Sequence, residues 1–165
     1  MTCNPGAGTN FKVYFPLADG TCVVETKQAT GFVPSARARG TVLLVDDEKS
    51  IRTIGSALLN ALGFSTITAS NGTEALDLYS QRPNEVDMIL LDLVMPVMGG
   101  VDTYRLLREI SRTIPIVICS GHGVEGLSEE IDSDEFAAMA QKPFDPDQLL
   151  NTLMKLFEKT EQTIQ

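Results

Sequence analysis

Residues 41–165 alternate between short apolar runs and segments with helical periodicity, and this alternation constrains the fold more than any other feature of the sequence. Short apolar runs rich in β-branched residues are typical of strands buried on both faces. The predicted strands cover Thr41–Asp46, Phe64–Ala69, Val86–Asp92, Pro115–Cys119 and Phe136–Ala140. Because a helical segment follows each strand, we expect a doubly wound α/β fold in which five helices cover a five-stranded parallel sheet.

The helices are predicted from apolar residues three and four positions apart and from signals at the helix ends. Asn71 followed by Glu74 predicts the start of the second helix, and Pro83 predicts its end. Asp145 is placed to cap the last helix, with Pro146 in its first turn. The fourth helix is predicted over about residues 124–131. In the first helix the expected apolar face comprises Ile51, Ile54, Leu58, Leu59 and Leu62. In the third helix it comprises Val101, Tyr104, Leu107 and Ile110. In the fifth helix it comprises Leu149, Leu150, Leu153, Met154 and Phe157.

Charge and composition exclude several classes of protein. The net charge of −9 would repel a phosphate backbone, so we expect no nucleic-acid binding. No apolar run has membrane-spanning length, and the amino terminus lacks a secretory signal, so we expect no direct membrane insertion. The three cysteines are an odd number without metal-ligand spacing, which favours a reducing, cytoplasmic location.

Polar residues follow the predicted strands at the edge where open parallel sheets bind ligands. Asp46 and Asp47 end the first strand, Asp92 ends the third, Ser120 follows the fourth and Lys142 follows the fifth. Asp92 is the most informative of these residues because it interrupts an apolar run. Carboxylates that are brought together repel one another, and an all-oxygen site for Mg²⁺ relieves this repulsion. The sequence therefore favours a Mg²⁺ site at this edge of the sheet.

Four motifs in these positions resemble the receiver domain of two-component response regulators. They are VDDE (Val45–Glu48), LLDLVMPVMGG (Leu90–Gly100), Cys119-Ser120 and KPF (Lys142–Phe144). The resemblance implies a flavodoxin-like fold of strand order 2-1-3-4-5. It also implies that Asp92 accepts a phosphoryl group from a histidine kinase or a histidine phosphotransfer domain, and that the receiver promotes its own phosphorylation and dephosphorylation.

The same resemblance implies roles for the surrounding residues. Asp47 would bind Mg²⁺ directly, Asp46 through water, and Val94 through its backbone carbonyl. Ser120 and Lys142 would contact the phosphoryl oxygens. Ser120 would also be the switch hydroxyl. In receivers the movement of this hydroxyl is usually coupled to a Phe or Tyr three residues before the lysine. In this chain Met139, which has neither a ring nor a hydroxyl, is at that position, and we expect it to act as the second switch residue. His122 either tunes dephosphorylation or is an ordinary loop residue.

The first forty residues have a different character. The stretch PGAGTNFKVYFP (Pro5–Pro16) resembles the last glycine box and final strand of a histidine-kinase ATP-binding domain, with a turn at Asn4-Pro5-Gly6 and a strand through Phe11, Val13 and Phe15. We therefore expect residues 1–17 to be a remnant of that domain, residues 18–40 a linker, and residues 41–163 the receiver. The intact parent would then be a hybrid sensor kinase, and this chain, which lacks the other nucleotide contacts, would not bind ATP.

Other functions remain as alternatives on the same fold. A haloacid-dehalogenase-like phosphatase would need an Asp two residues after Asp92, where this chain has Val94. An FMN binder would need a Ser/Thr-rich loop after the first strand, where the chain has Asp46, Asp47 and Glu48. A phosphorylation-silent interaction module would not need the acidic residues. No DNA-binding output domain is expected after the fifth helix, and the sequence leaves homodimerisation open.

Overall fold

The computed structural model describes residues 2–4, 8–10, 40–121, 128–142 and 144–163. The chain forms two compact units, Met1–Gly31 and Phe32–Gln165. In the first unit, the short strands Thr2–Asn4 and Gly8–Asn10 pair antiparallel. These strands lack the alternation of apolar residues that would have predicted them. Of the turn predicted at Asn4-Pro5-Gly6, Asn4 ends the first of these strands and the other two residues lie outside the described residues. The strand predicted over residues 11–15 and residues 18–39 of the linker predicted over 18–40 also lie outside them.

The second unit contains a five-stranded sheet in which all pairs are parallel. Its strands are β1 (Thr41–Val45), β2 (Ser65–Ala69), β3 (Met88–Asp92), β4 (Ile116–Ser120) and β5 (Ala137–Gln141). Their spatial order is β2-β1-β3-β4-β5. This confirms the doubly wound, flavodoxin-like topology, with strand ends that differ by one or two residues from the predicted ones.

Five helices connect these strands and follow the last of them. They are α1 (Lys49–Ala61), α2 (Gly72–Gln81), α3 (Gly100–Ile110), α4 (Ser128–Ser133) and α5 (Pro146–Thr163). Asn71 caps α2 by accepting a hydrogen bond from the Glu74 backbone N–H at 3.0 Å. Asp145 caps α5 by accepting a hydrogen bond from the Gln148 backbone N–H at 2.9 Å. Both caps confirm the predicted helix starts. No described helix is both long and apolar enough to cross a membrane.

The helix predicted over about residues 124–131 is described only in part, because residues 122–127 lie outside the described residues. The described helix covers Ser128–Ser133, so it confirms the prediction at residues 128–131 and ends two residues later than predicted. Of the six helical residues, Ile131 alone is a large apolar residue, and it is buried. A single apolar residue gives no periodicity that would locate the end of the helix.

Two apolar layers cover the sheet. On one face, Leu43 of β1 packs in a cluster with Tyr104 and Leu107 of α3, and on the other Val42 packs with residues of α1 and α5. Ile54 and Ile110, which were expected in the core, are instead 66% and 49% exposed. In α1 the buried positions are Gly55 and Leu59. A Cβ atom on Gly55 would lie 2.9 Å from a Leu44 methyl, so α1 approaches the sheet at Gly55 and turns Ile54 outwards.

Candidate functional site

The parallel sheet brings three carboxylates together at its carboxyl edge. Val45 pairs with Leu91, so Asp46 and Asp92, the next residues of the two neighbouring strands, lie side by side. One carboxylate oxygen from each of Asp46, Asp47 and Asp92 lies within 4.8 Å of the others. Asp46 is 2% and Asp92 8% exposed, whereas Asp47 is exposed to solvent. Oxygen ligands grouped in this way suit Mg²⁺, which prefers carboxylates and retained waters.

Lys142 delivers a positive charge to the two buried carboxylates. Its backbone N–H donates to the Ser120 carbonyl at 3.0 Å, which continues the pairing of β5 with β4 beyond the strand end. Its Nζ lies 2.6 Å from Asp46 Oδ2 and 3.0 Å from Asp92 Oδ1. Burial alone would lower the pKa of the Lys142 ammonium, but the two carboxylates outweigh this effect and raise that pKa above its ordinary value. Lys142 is therefore a permanent cation at neutral pH.

Asp92 has an environment that disfavours its charge. Burial raises the pKa of its carboxyl group, and the neighbouring charge of Asp46 acts in the same direction. The Lys142 ammonium and the Val94 backbone N–H, which donates to the carboxylate, act in the opposite direction but do not cancel the burial effect. A cation bound at this site would relieve the remaining cost of keeping Asp92 ionised.

The loop after β3 folds back tightly beside Asp92. Val97 has a φ of 71°, in the left-handed region that β-branched residues rarely adopt. The Gly100 N–H donates to the Leu93 carbonyl at 2.9 Å, so α3 starts directly against the end of β3. The side chains of Val94 and Val97 are 80% and 91% exposed. The Val94 backbone N–H therefore faces the carboxylate of Asp92, the side chains of Val94 and Val97 face solvent, and Leu93 and Met95 are buried in the core.

Ser120 ends β4 at the same edge of the sheet and is 8% exposed. No atom of the residues that the structure describes lies within 4 Å of a Cβ added to its neighbour Gly121. Cys119 is buried, and burial raises the pKa of its thiol, which keeps it protonated and unreactive. His122 lies outside the described residues.

Met139 lies in the middle of β5, on the edge strand of the sheet, where it pairs with Ile118 and is 41% exposed. It lines an open groove of about 320 Å³ together with Lys142, Gln148 and Thr152, next to α5. The carboxylates, Ser120 and Lys142 lie at the strand ends, and the groove connects Lys142 to the position of Met139.

Arg52 is a residue of the site that the sequence reasoning missed. Its Nη1 donates to the backbone carbonyls of Asp46 and Asp47 at 2.6 and 2.9 Å. The signal that could have found it is its position one helical turn into α1, where a long side chain can reach back over the loop. Contacts to backbone carbonyls leave no residue pattern in the sequence, which is why it was overlooked.

The matches to known proteins agree with this geometry. Residues 42–154 match the family described as the response regulator receiver domain. Over 160 residues the chain is 31% identical to the sensor kinase CckA of Brucella abortus (strain 2308). This alignment covers 93% of this chain and 17% of that kinase. The chain thus spans less than a fifth of the length of this relative.

Two further relatives correspond to the second unit. Over 117 residues the chain is 32% identical to sporulation initiation phosphotransferase F of Bacillus subtilis (strain 168), covering 69% of this chain and 90% of that protein. The crystal structure of the CheX-CheY-BeF3-Mg complex from Borrelia burgdorferi aligns with a TM-score of 0.65 and 28% identity, over 72% of this chain and 89% of that chain.

Proposed function

Because the chain belongs to the response regulator receiver domain family, we propose that Asp92 is its phosphoacceptor, which takes a phosphoryl group from a phosphohistidine. The observation that carries this proposal is the place of Asp92, buried at the strand edge beside Asp46, with the Lys142 ammonium in contact with both carboxylates. In the transfer, a carboxylate oxygen of Asp92 bonds to phosphorus, the phosphorus–nitrogen bond breaks, and the imidazole leaves. Family membership also disfavours the phosphatase and silent-module alternatives.

We propose that Asp46, Asp47, Asp92 and the backbone carbonyl of Val94 hold a Mg²⁺ ion. The three carboxylates supply a compact set of oxygen atoms, and the Val94 backbone lies beside Asp92. When bound, Mg²⁺ would neutralise charge on the phosphoryl oxygens and on the carboxylates. Lys142 adds a second positive charge, and the Ser120 hydroxyl adds a hydrogen-bond donor for a phosphoryl oxygen. A carboxylate can attack an anionic phosphoryl group only when charge is neutralised in this way.

The proposed phosphoryl donor is a histidine kinase or a histidine phosphotransfer domain. We propose further that the chain is a cytoplasmic part of a hybrid sensor kinase, with residues 1–17 from the end of an ATP-binding domain, residues 18–40 a linker and residues 41–163 the receiver. The support for this is the kinase relative, whose similarity covers 93% of this chain and so extends beyond the receiver match.

Intact-protein mass after incubation with acetyl phosphate tests the phosphoacceptor. We expect one phosphoryl adduct that forms in the presence of Mg²⁺ and does not form when Mg²⁺ is chelated before the incubation. Asp92→Asn conserves the shape of the side chain but removes the nucleophile, so it should abolish the adduct. The matched control is Asp77→Asn on the exposed face of α2, which should be phosphorylated like the wild type. An undiminished adduct in Asp92→Asn would assign the acceptor to another residue.

The proposed switch involves Ser120 and Met139. Met139 is exposed beside the groove on α5, so a change in its position would alter the surface of β5 and α5. Met139→Tyr should therefore change the hydrogen-exchange differences that phosphorylation produces in α4 and α5. Ile110→Tyr, at an exposed position of α3, serves as the control. Identical exchange in Met139→Tyr and wild type, with and without phosphate, would remove Met139 from the switch.

A further inference from the structure

Arg52 connects α1 to the loop that carries the acid pair. One nitrogen of its guanidinium, Nη1, has two hydrogens, and it donates to the carbonyls of both Asp46 and Asp47. These carbonyls belong to consecutive peptide groups. Binding both of them to one nitrogen fixes the orientation of the two peptide planes on either side of the Asp47 Cα. The direction in which the Asp47 side chain leaves the backbone is fixed with them.

The two acids of the pair are held in different ways. The Asp46 carboxylate accepts hydrogen bonds from the Glu48 backbone N–H at 2.9 Å and from Lys142 Nζ at 2.6 Å, one on each oxygen. The Asp47 carboxylate is exposed and makes no hydrogen bond or ion pair with any residue that the structure describes. Its place within 4.8 Å of the other two carboxylates therefore depends on its backbone.

We propose that Arg52 is a positioning residue for the metal site: it holds the Asp46–Asp47 backbone so that the Asp47 carboxylate is aimed at the ion before the ion binds. This inference rests on the proposed Mg²⁺ site. Arg52 does not touch the ion or the phosphoryl group, and it acts through Asp47. Loss of such a supporting contact typically weakens metal binding because the ligand must then be ordered when the ion binds.

Because Arg52 is positively charged, the direction in which its substitution changes the Mg²⁺ affinity tests this proposal. The guanidinium contacts the backbone of two proposed ligands and so repels a cation bound by them, which means that removing its charge would by Coulomb's law alone strengthen Mg²⁺ binding. Removing its hydrogen bonds to the two carbonyls would weaken Mg²⁺ binding. The two effects of the same substitution oppose each other, and the direction of the measured change shows which one dominates.

The experiment is a titration of the full chain with Mg²⁺ alone, followed by calorimetry and by backbone amide shifts in NMR spectra. Arg52→Met retains an unbranched apolar side chain, and methionine is a good helix former. We expect this substitution to weaken Mg²⁺ binding about tenfold. Arg105→Met is the matched control: it removes the same charge from an exposed arginine of α3, which pairs with Glu130. Its Mg²⁺ affinity should equal that of the wild type, and the melting temperatures identify folded variants.

The outcomes separate the positioning role from the metal site itself. Equal or tighter Mg²⁺ binding by folded Arg52→Met would overturn the positioning role and leave the Mg²⁺ site intact. Absence of Mg²⁺ binding in the wild type would overturn both. If Arg52→Met does not fold, Arg52→Lys decides, because it keeps the charge but lacks the planar guanidinium. Weaker binding by Arg52→Lys would support the proposal, and unchanged binding would overturn it.

Discussion

Gly100 has no side chain at the point where α3 begins against the strand that ends in Asp92. A Cβ atom on Gly100 would lie 2.2 Å from the Asp92 carbonyl oxygen and 2.5 Å from the Leu93 Cα. Both atoms belong to the backbone, so a side chain would fit only if α3 moved away from β3. The missing Cβ thus sets how closely the helix packs behind the proposed phosphoacceptor.

Gly100→Ala is therefore expected to lower the free energy of unfolding by about 2–3 kcal/mol, as overpacking against backbone does. Urea denaturation measures this loss. Gly99→Ala is the matched control, because its Cβ would meet only the Leu93 carbonyl oxygen, at 3.7 Å, and its φ of −72° suits any residue. We expect that control to stay within about 0.5 kcal/mol of the wild type. Equal losses in the two variants would contradict the close approach at Gly100.

At the scale of the element, α4 is short and depends on side chains that tie it to its neighbours. Asp134, just after α4, accepts hydrogen bonds from the Tyr104 hydroxyl at 2.6 Å, from Arg108 Nε and from the Phe136 backbone N–H. Arg108 also donates to the carbonyls of Ile114 and Phe136 at 2.8 and 3.0 Å. This cluster joins the end of α3 to the start of β4 and to the turn between α4 and β5.

The cluster makes stability depend on pH in two ranges. Burial alone would raise the pKa of the Asp134 carboxyl, but its hydrogen bonds outweigh burial and hold that pKa below its ordinary value. Its contribution is therefore present at neutral pH and is lost as pH falls through the acidic range. Burial and the Asp134 contact raise the pKa of Tyr104 to about 12. The contribution of the protonated Tyr104 hydroxyl is lost as pH rises from about 10 towards that value.

Asp134→Asn should reduce the free energy of unfolding at neutral pH by about 1–3 kcal/mol, because it weakens bonds to a charged and largely buried acceptor. The difference from the wild type should shrink as the pH is lowered, since the wild-type carboxylate becomes protonated. Thermal melts between neutral and acidic pH measure both effects. Asp132→Asn, at an exposed position of the same helix, is the control. A loss that stays constant down to acidic pH would contradict a role for the Asp134 charge.

The elements that the sequence predicts well are those with a strong local pattern. The five strands are short apolar runs, and β3 and β4 are buried along their whole length, so their composition alone identifies them. The prediction for α4 is confirmed over residues 128–131, whereas the predictions that Ile54 and Ile110 face the core are wrong because tertiary packing decides them. Periodicity defines an apolar stripe only to within about one residue, and the close approach at Gly55 selects which residue of α1 faces the sheet.

At the scale of the whole molecule, the second unit closes its own core. The residues of both apolar clusters lie between Val42 and Phe157. Sporulation initiation phosphotransferase F, matched over 90% of its length, corresponds to 69% of this chain. We therefore expect a variant that begins at Phe32 to melt within about 2 °C of the full chain, a shift worth about 0.6 kcal/mol, and to take up phosphoryl groups from acetyl phosphate equally well. A marked loss of either property would show that residues 1–31 support the receiver.

The site residues that could be predicted from the sequence are those at the carboxyl ends of the strands, because the fold brings these ends together. Asp46, Asp47, Asp92 and Lys142 are far apart in sequence and meet because parallel strands end at one edge of the sheet. The sequence could not predict which carboxylate is buried, how Lys142 divides its contacts, or that Arg52 holds the loop. These properties depend on distances of a few tenths of an ångström and on backbone atoms, which every residue has.

The parallel sheet also has a consequence for how the chain folds. Each pair of neighbouring strands is separated along the chain by at least one helix, so none of the four ladders can form as a hairpin. The entropy of closing a long loop must be overcome before any strand contact forms, which slows folding. During synthesis β1 gains its second neighbour, β3, only after α2 is complete. We therefore expect the nascent chain to be most prone to mispairing just before Asp92 is added, while one edge of β1 is still open.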